Sequence, residues 1–182
     1  QTVAFGPDPL QAYDLYADRG AGPVLMFVHG GGWSRGERTR VNELPAYARR
    51  HGLTLASTGY RLAPAVSARE SAMDVAAAVA DLKRRLPGRP LYLMGHSAGA
   101  HLAALVGIDP DYLGAVGLRP SDLAGVILLD GAGYDATAPR GDGRIDQWLG
   151  QTYDQAFGDQ AAALSPTLRV RPGVAYPPFL IF

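Results

Sequence analysis

The stretch Leu91-Tyr-Leu-Met-Gly-His-Ser97-Ala-Gly-Ala-His-Leu-Ala-Ala-Leu-Val106 decides how the chain is read. Its first four residues are a short apolar run of the kind that forms a buried strand. From Ala98 to about Ile108 the pattern is helical. Between them stands Gly95-His96-Ser97-Ala98-Gly99, a G-x-S-x-G sequence set between a strand and a helix. A turn that tight forces a strained backbone at the serine. It leaves no room for a side chain at either glycine, and it lifts the serine Oγ to the N-terminus of the following helix. There the helix dipole and free N–H groups favour a developing negative charge. The rival reading is an ordinary Gly-rich turn with a capping serine.

Outward from this turn, apolar runs alternate with helical patterns. The other runs are Val24–Val28, Leu53–Ser57, Val126–Leu129 and Phe179–Phe182. They are continuous rather than alternating, as expected of parallel strands covered on both faces. Leu10–Tyr16 is more mixed, precedes the turn-like Asp18-Arg-Gly-Ala-Gly-Pro23, and reads as an antiparallel edge strand. Ser67-Ala-Arg-Glu70 is a capping box. Ala72, Val75, Ala76, Val79, Leu82 and Leu86 follow it as one apolar stripe, and Pro87-Gly88 ends the helix. A further helix is expected over Val41–His51. The polar stretch Gly131–Gly143 reads as a loop, and Leu149–Leu164 as a helix that could cap the site. Strand–helix–strand repetition of this kind predicts an α/β fold, a mostly parallel sheet with helices on both faces.

A second signal follows the run Val24–Val28. His29-Gly30-Gly31-Gly32-Trp33 places three consecutive glycines at the end of a strand, where unshielded N–H groups can point into a cavity. A phosphate loop would need a Lys-Ser/Thr ending or a G-x-G-x-x-G opening a helix, and neither is present. His29 is read as a brace for the loop, and Trp33 as either a wall of the site or core filling.

The two motifs together resemble the α/β-hydrolase superfamily, in the esterase and lipase branch with an H-G-G-G loop. Gly59-Tyr60-Arg61-Leu62-Ala63-Pro64 and the continuation Ser97-Ala-Gly-Ala-His-Leu102 strengthen the likeness, the latter toward feruloyl-esterase-like and arylformamidase-like members. The resemblance implies a serine hydrolase acting on small-molecule carboxylic esters, or on small amides as an arylformamidase does. It implies Ser97 as nucleophile and the N–H groups of Gly31, Gly32 and Ala98 as oxyanion donors, with the choice among Gly30, Gly31 and Gly32 open. It requires no metal or organic cofactor.

The chain departs from the family pattern in one respect. The family order is serine, then Asp or Glu, then His, and the four histidines here are His29, His51, His96 and His101. His96 adjoins the serine and should point away from it, His101 lies one turn along the helix and reads as a packing residue or one that supports the site from behind, and His51 reads as a helix-end histidine. Asp130 and Asp135, after the run Val126–Leu129, are candidates for the acid, although an Asp in that position commonly caps a turn. The expectation is therefore one hydrolase domain over residues 1–182, incomplete on its C-terminal side, with the acid and the histidine supplied elsewhere and the 182 residues alone impaired. A hydrolase-like fold retained only to bind a small molecule is the alternative.

Composition bounds these readings. At 182 residues the length suits one domain. Lys+Arg 17 against Asp+Glu 17 gives no basic field for nucleic acid. With Cys 0, disulfides, thiolate catalysis and Cys-based zinc sites are excluded. No apolar run approaches the ~20 residues of a spanning helix. A soluble location is expected, with the cytoplasm favoured.

Overall fold

The computed structural model describes residues 1–16, 20–139 and 143–182. In chain order the elements are β1 (Thr2–Ala4), β2 (Ala12–Tyr16), β3 (Val24–Val28), α1 (Leu44–Arg50) and β4 (Thr54–Thr58). They continue with α2 (Ala68–Arg85), β5 (Leu91–His96), α3 (Ala98–Ile108), α4 (Pro110–Gly114), β6 (Gly125–Leu129), α5 (Arg144–Phe157) and β7 (Phe179–Ile181). The strands form one sheet in the order β1-β2-β4-β3-β5-β6-β7. From β4 to β7 every pairing is parallel, and β1 and β2 are antiparallel additions.

Side-chain alternation divides each central strand between the two faces. Val24, Met26 and Val28 of β3, Leu91 and Leu93 of β5 and Val126 and Leu128 of β6 face a cluster built with α2, α3 and α4. Leu25 and Phe27 of β3, Leu55 of β4 and Met94 of β5 face a smaller cluster that includes Ala48 of α1. Helices therefore cover both faces, as the continuous apolar runs required. In α2 the stripe Ala72, Val75, Ala76, Val79 and Leu82 is fully buried, and Leu86, the last of the expected stripe, stands at the C-cap half-buried. Its N-terminus carries the expected capping box, in which the Ser67 side chain accepts from the backbone and Glu70 accepts from the Ser67 N–H.

The structure differs from the sequence reading in five places. β2 is not an edge strand, because β1 pairs outside it through Val3 and Tyr13; three residues with one buried side chain give too weak a pattern to be read. Residues 17–19, within or beside the expected turn, lie outside the described residues, as do residues 140–142 of the expected loop. The helix expected over Val41–His51 begins only at Leu44, since Asn42 takes a positive φ of 44° that breaks helical continuation. α5 starts at Arg144 and ends at Phe157, where Gly158 at φ 53° stops it, so the expected Leu149–Leu164 helix is displaced toward the N-terminus. β7 lies at the sheet's edge, and Leu180 and Ile181 are exposed rather than covered on both faces. α4 was not expected; Pro110 and the Asp109 cap start it, and Asp109 also anchors Arg169 at 2.8 Å and Arg171 at 3.0 Å.

Candidate active site

The turn between β5 and α3 has the conformation the G-x-S-x-G sequence called for. Ser97 sits at φ 53°, ψ −120°, a region costly for any residue with a side chain. The surroundings hold it there. A β-carbon at Gly95 would stand 2.1 Å from the Gly99 carbonyl oxygen, and one at Gly99 would stand 2.2 Å from that of Val28. The Ser97 N–H continues the sheet ladder to Leu129 O at 2.9 Å. Although Ser97 occupies the N-cap position of α3, its hydroxyl caps nothing. That removes the capping-serine reading and leaves Oγ, without a hydrogen-bond partner among the described residues, at the N-terminus of an eleven-residue helix.

The glycine loop lies directly against this turn. A β-carbon at Gly30 would meet His96 O at 2.9 Å and Ser97 Cβ at 3.1 Å. Gly31 and Gly32 have φ of 127° and 59°, and a β-carbon at Gly31 would strike Arg35 O at 2.0 Å. The turn closes through N–H bonds from Ser34 and Arg35 to Gly31 O. Among the described residues, no carbonyl takes the N–H of Gly31, Gly32 or Ala98. Backbone N–H groups of the glycine loop and of Ala98 thus stand without a carbonyl partner where the loop meets the Ser97 turn, an arrangement able to hold an anionic oxygen.

Behind the loop, several side chains fix its position. His29 Nδ1–H donates to Gly30 O at 2.8 Å, and burial lowers the affinity of its ring for a proton. The ring stacks on Tyr60 with centroids 4.3 Å apart, and the Tyr60 hydroxyl donates to His29 O at 2.9 Å. The next residue, Arg61, donates from Nε and from Nη2 to Asp74 of α2, both at 2.8 Å. Asp74 also accepts from the Arg61 backbone N–H and from Gln11. Ala63 N–H donates to Trp33 O at 2.9 Å. The Tyr-Arg-Leu-Ala-Pro segment is therefore a clamp that joins the glycine loop to α2. Asp74 and Gln11 were not read as part of this site. The available signal was a carboxylate inside the buried face of α2, where an unpaired charge is not tolerated.

Trp33 is core filling and not a wall of the cavity at Ser97. It is 2% exposed and meets His101, Tyr153 and Phe157 edge-on, with centroids 5.3, 5.5 and 4.9 Å away. α5 reaches the loop from outside, Thr152 standing against Gly32. A cavity of about 740 Å³ opens at Ser97 on the α1 side. Phe27, Val41, Leu44, Tyr47 and Leu129 supply its apolar lining, and Arg35, Glu37, Arg40 and Glu43 its charges.

No histidine among the described residues is hydrogen-bonded to Ser97 Oγ. His29 is turned to its own loop, and His101 is buried between Trp33 and Leu164. His51 caps the end of α1 and lies against Tyr47. His96 is exposed, and its ring packs on Gly30. Asp135 caps its own turn, accepting from Thr137 N–H at 3.0 Å and Thr137 Oγ1 at 2.6 Å. Asp130, at φ 50°, is exposed, and its carboxylate makes no hydrogen bond or ion pair among the described residues. The described residues also contain no cluster of three or more metal-binding side chains, and no helix long and apolar enough to cross a membrane.

A parallel sheet with a strained serine between strand and helix, faced by a glycine loop, defines a class of hydrolase-like folds. The family model described as alpha/beta hydrolase fold matches residues 25–166, and the chain belongs to that family. It is 30% identical over 112 residues to a probable isoprenylcysteine alpha-carbonyl methylesterase of Arabidopsis thaliana, an overlap of 57% of this chain and 24% of the relative. It is 34% identical over 104 residues to the kynurenine formamidase of Meyerozyma guilliermondii, covering 56% of this chain and 40% of that protein. Among solved structures, esterase B from Lactobacillus rhamnosis superposes with a TM-score of 0.81 at 28% identity, over 100% of this chain and 64% of its own. The chain thus matches less than half the length of these curated relatives.

Proposed function

We propose that these residues carry the nucleophile and the oxyanion-binding half of a serine hydrolase that cleaves carboxylic esters of small molecules. Ser97 Oγ attacks the ester carbonyl, the oxyanion is held by the N–H groups of Ala98, Gly31 and Gly32, and the alcohol leaves. Water then releases the acyl group from Ser97. One backbone donor of this kind contributes roughly 2.7–4 kcal/mol to the transition state. The observation that carries the reading is the strained Ser97, its hydroxyl spared from capping, packed against a glycine loop whose N–H groups have no carbonyl partner among the described residues. The esterase names among the relatives support the ester as the bond cleaved.

A serine hydroxyl needs a base, and an imidazole oriented by a carboxylate is the usual one. None of the four histidines is hydrogen-bonded to Ser97 Oγ among the described residues. In this reading the base comes from outside the 182 residues. Asp130, with its carboxylate uncommitted after β6, is a better candidate for the acid than Asp135, which caps its own turn. The 182 residues alone then turn over ester at a small fraction of the rate of the full gene product.

A second reading, formamide cleavage, is favoured by the similarity to a kynurenine formamidase. The test is labelling with a fluorophosphonate probe and mapping of the adduct, followed by assays on phenyl acetate and on an N-formyl aromatic amine. An adduct on Ser97 in the full gene product with ester turnover is expected. Turnover of the formamide alone would replace the first reading with the second. No adduct would favour a fold kept for ligand binding.

A further inference from the structure

His101 is a junction of three elements. Its backbone N–H donates to Ser97 O at 3.2 Å, which ties it to the strained turn. Its ring, with no exposed surface, accepts from Trp33 Nε1 at 3.1 Å through Nδ1. Its Nε2–H donates to Leu164 O at 2.7 Å, and Leu164 lies in the segment after α5. The acceptor and the donor fix one neutral tautomer. Trp33 ends the glycine loop, stands at a positive φ of 59°, and is held from outside by Tyr153 and Phe157 of α5. Gly133 and Phe157 also lie against the ring.

We infer that His101 is a positioning residue, which sets the distance between the Ala98 N–H on α3 and the Gly31 and Gly32 N–H groups on the loop. One end of the anion site is the first residue of α3, and His101 is on that helix. The other end is the loop that finishes at Trp33, and the His101–Trp33 hydrogen bond is a direct polar link between the two. The bond to Leu164 fixes the ring's rotation, so that Nδ1 faces the indole. The inference rests on the anion-holding role proposed for these N–H groups.

His101→Phe keeps the ring volume and removes both hydrogen bonds. His101→Asn restores an acceptor near the place of Nδ1. In the full gene product, His101→Phe is expected to lower kcat for phenyl acetate roughly 10²-fold with KM changed less than about threefold. His101→Asn is expected to recover a large part of that loss. A fall in kcat absent from His101→Phe, or an equal loss in both variants, overturns the inference. A second readout needs no turnover: hydrogen exchange of the amides of residues 29–34 should speed by about tenfold or more in His101→Phe, and stay near wild type in His101→Asn. Unchanged exchange in His101→Phe overturns the inference. If His101→Phe does not fold, Trp33→Phe, which removes the same bond from the other side, takes its place with the same expectations. A wild-type gene product without esterase activity overturns the hydrolase reading alone, since the exchange data still decide whether His101 holds the loop.

Discussion

Gly99 of α3 lies under the last residue of β3, Val28, so closely that a β-carbon on the glycine would stand 2.2 Å from the valine carbonyl oxygen. The elbow helix can approach the sheet only because position 99 has no side chain. Gly99→Ala forces α3 away from β3, and neither backbone can yield without disturbing the ladder on either side. The expected cost is about 3 kcal/mol, at the upper end of overpacking effects. Urea unfolding checks it, and a midpoint within error of wild type would refute the close-approach argument.

Ser97 holds a backbone conformation that glycine adopts without penalty. Ser97→Gly should therefore raise stability, by about 1 kcal/mol once the greater freedom of glycine in the unfolded chain is subtracted. The same variant should lose all fluorophosphonate labelling. A stabilised protein without labelling is the signature of strain kept for chemistry, and a destabilised Ser97→Gly would mean that the strain is small.

Burial pushes the His101 ring down from 6.5 to about 4 in the folded protein. The unfolded chain therefore takes up a proton on this side chain as pH falls through 6.5, and the folded protein does so only near 4. Stability from this group is complete above about pH 6.5 and is lost as pH falls to about 4, by about 3 kcal/mol in all. His29, lowered by burial as well, adds a slope of the same sign. Urea midpoints measured from pH 7 to 4 should decline, and His101→Asn should show a shallower decline. An equal slope in both proteins would count against the buried neutral ring.

Asp74 is 2% exposed and depends on Arg61 for its counter-charge. Arg61→Ala leaves that carboxylate with Gln11 and one backbone N–H. The expected loss is about 3 kcal/mol. Because Tyr60 precedes Arg61 and bonds His29 O, the variant should also quicken amide exchange in the glycine loop. Thermal unfolding and exchange together test this. Loss of stability with an unaltered loop would show that the clamp stops at Arg61.

Much of this was legible in the residues. The elbow could be read because two glycines flank a serine between an apolar run and a helical stripe, and hard-sphere contact leaves few alternatives. The capping box of α2 and the length of α3 follow from local rules, and the structure has both. β1 could not be read, since three residues carry no period and pair only because β2 is beside them. The role of Asp74 was hidden for a related reason. Its partners are Arg61 and Gln11, 13 and 63 residues away in sequence, and only tertiary packing brings them together.

The sequence by itself determined the parallel sheet, the turn at Ser97 and the presence of a glycine loop, because each depends on short-range sterics and periodicity. Only the tertiary structure decided that Trp33 belongs to the core and that His101 joins α3 to the loop. Among the described residues it also leaves all four imidazoles without a hydrogen bond to the Ser97 hydroxyl. These are contacts between segments far apart in the chain, and burial and hydrogen-bond geometry select them only once the sheet and its helices have packed.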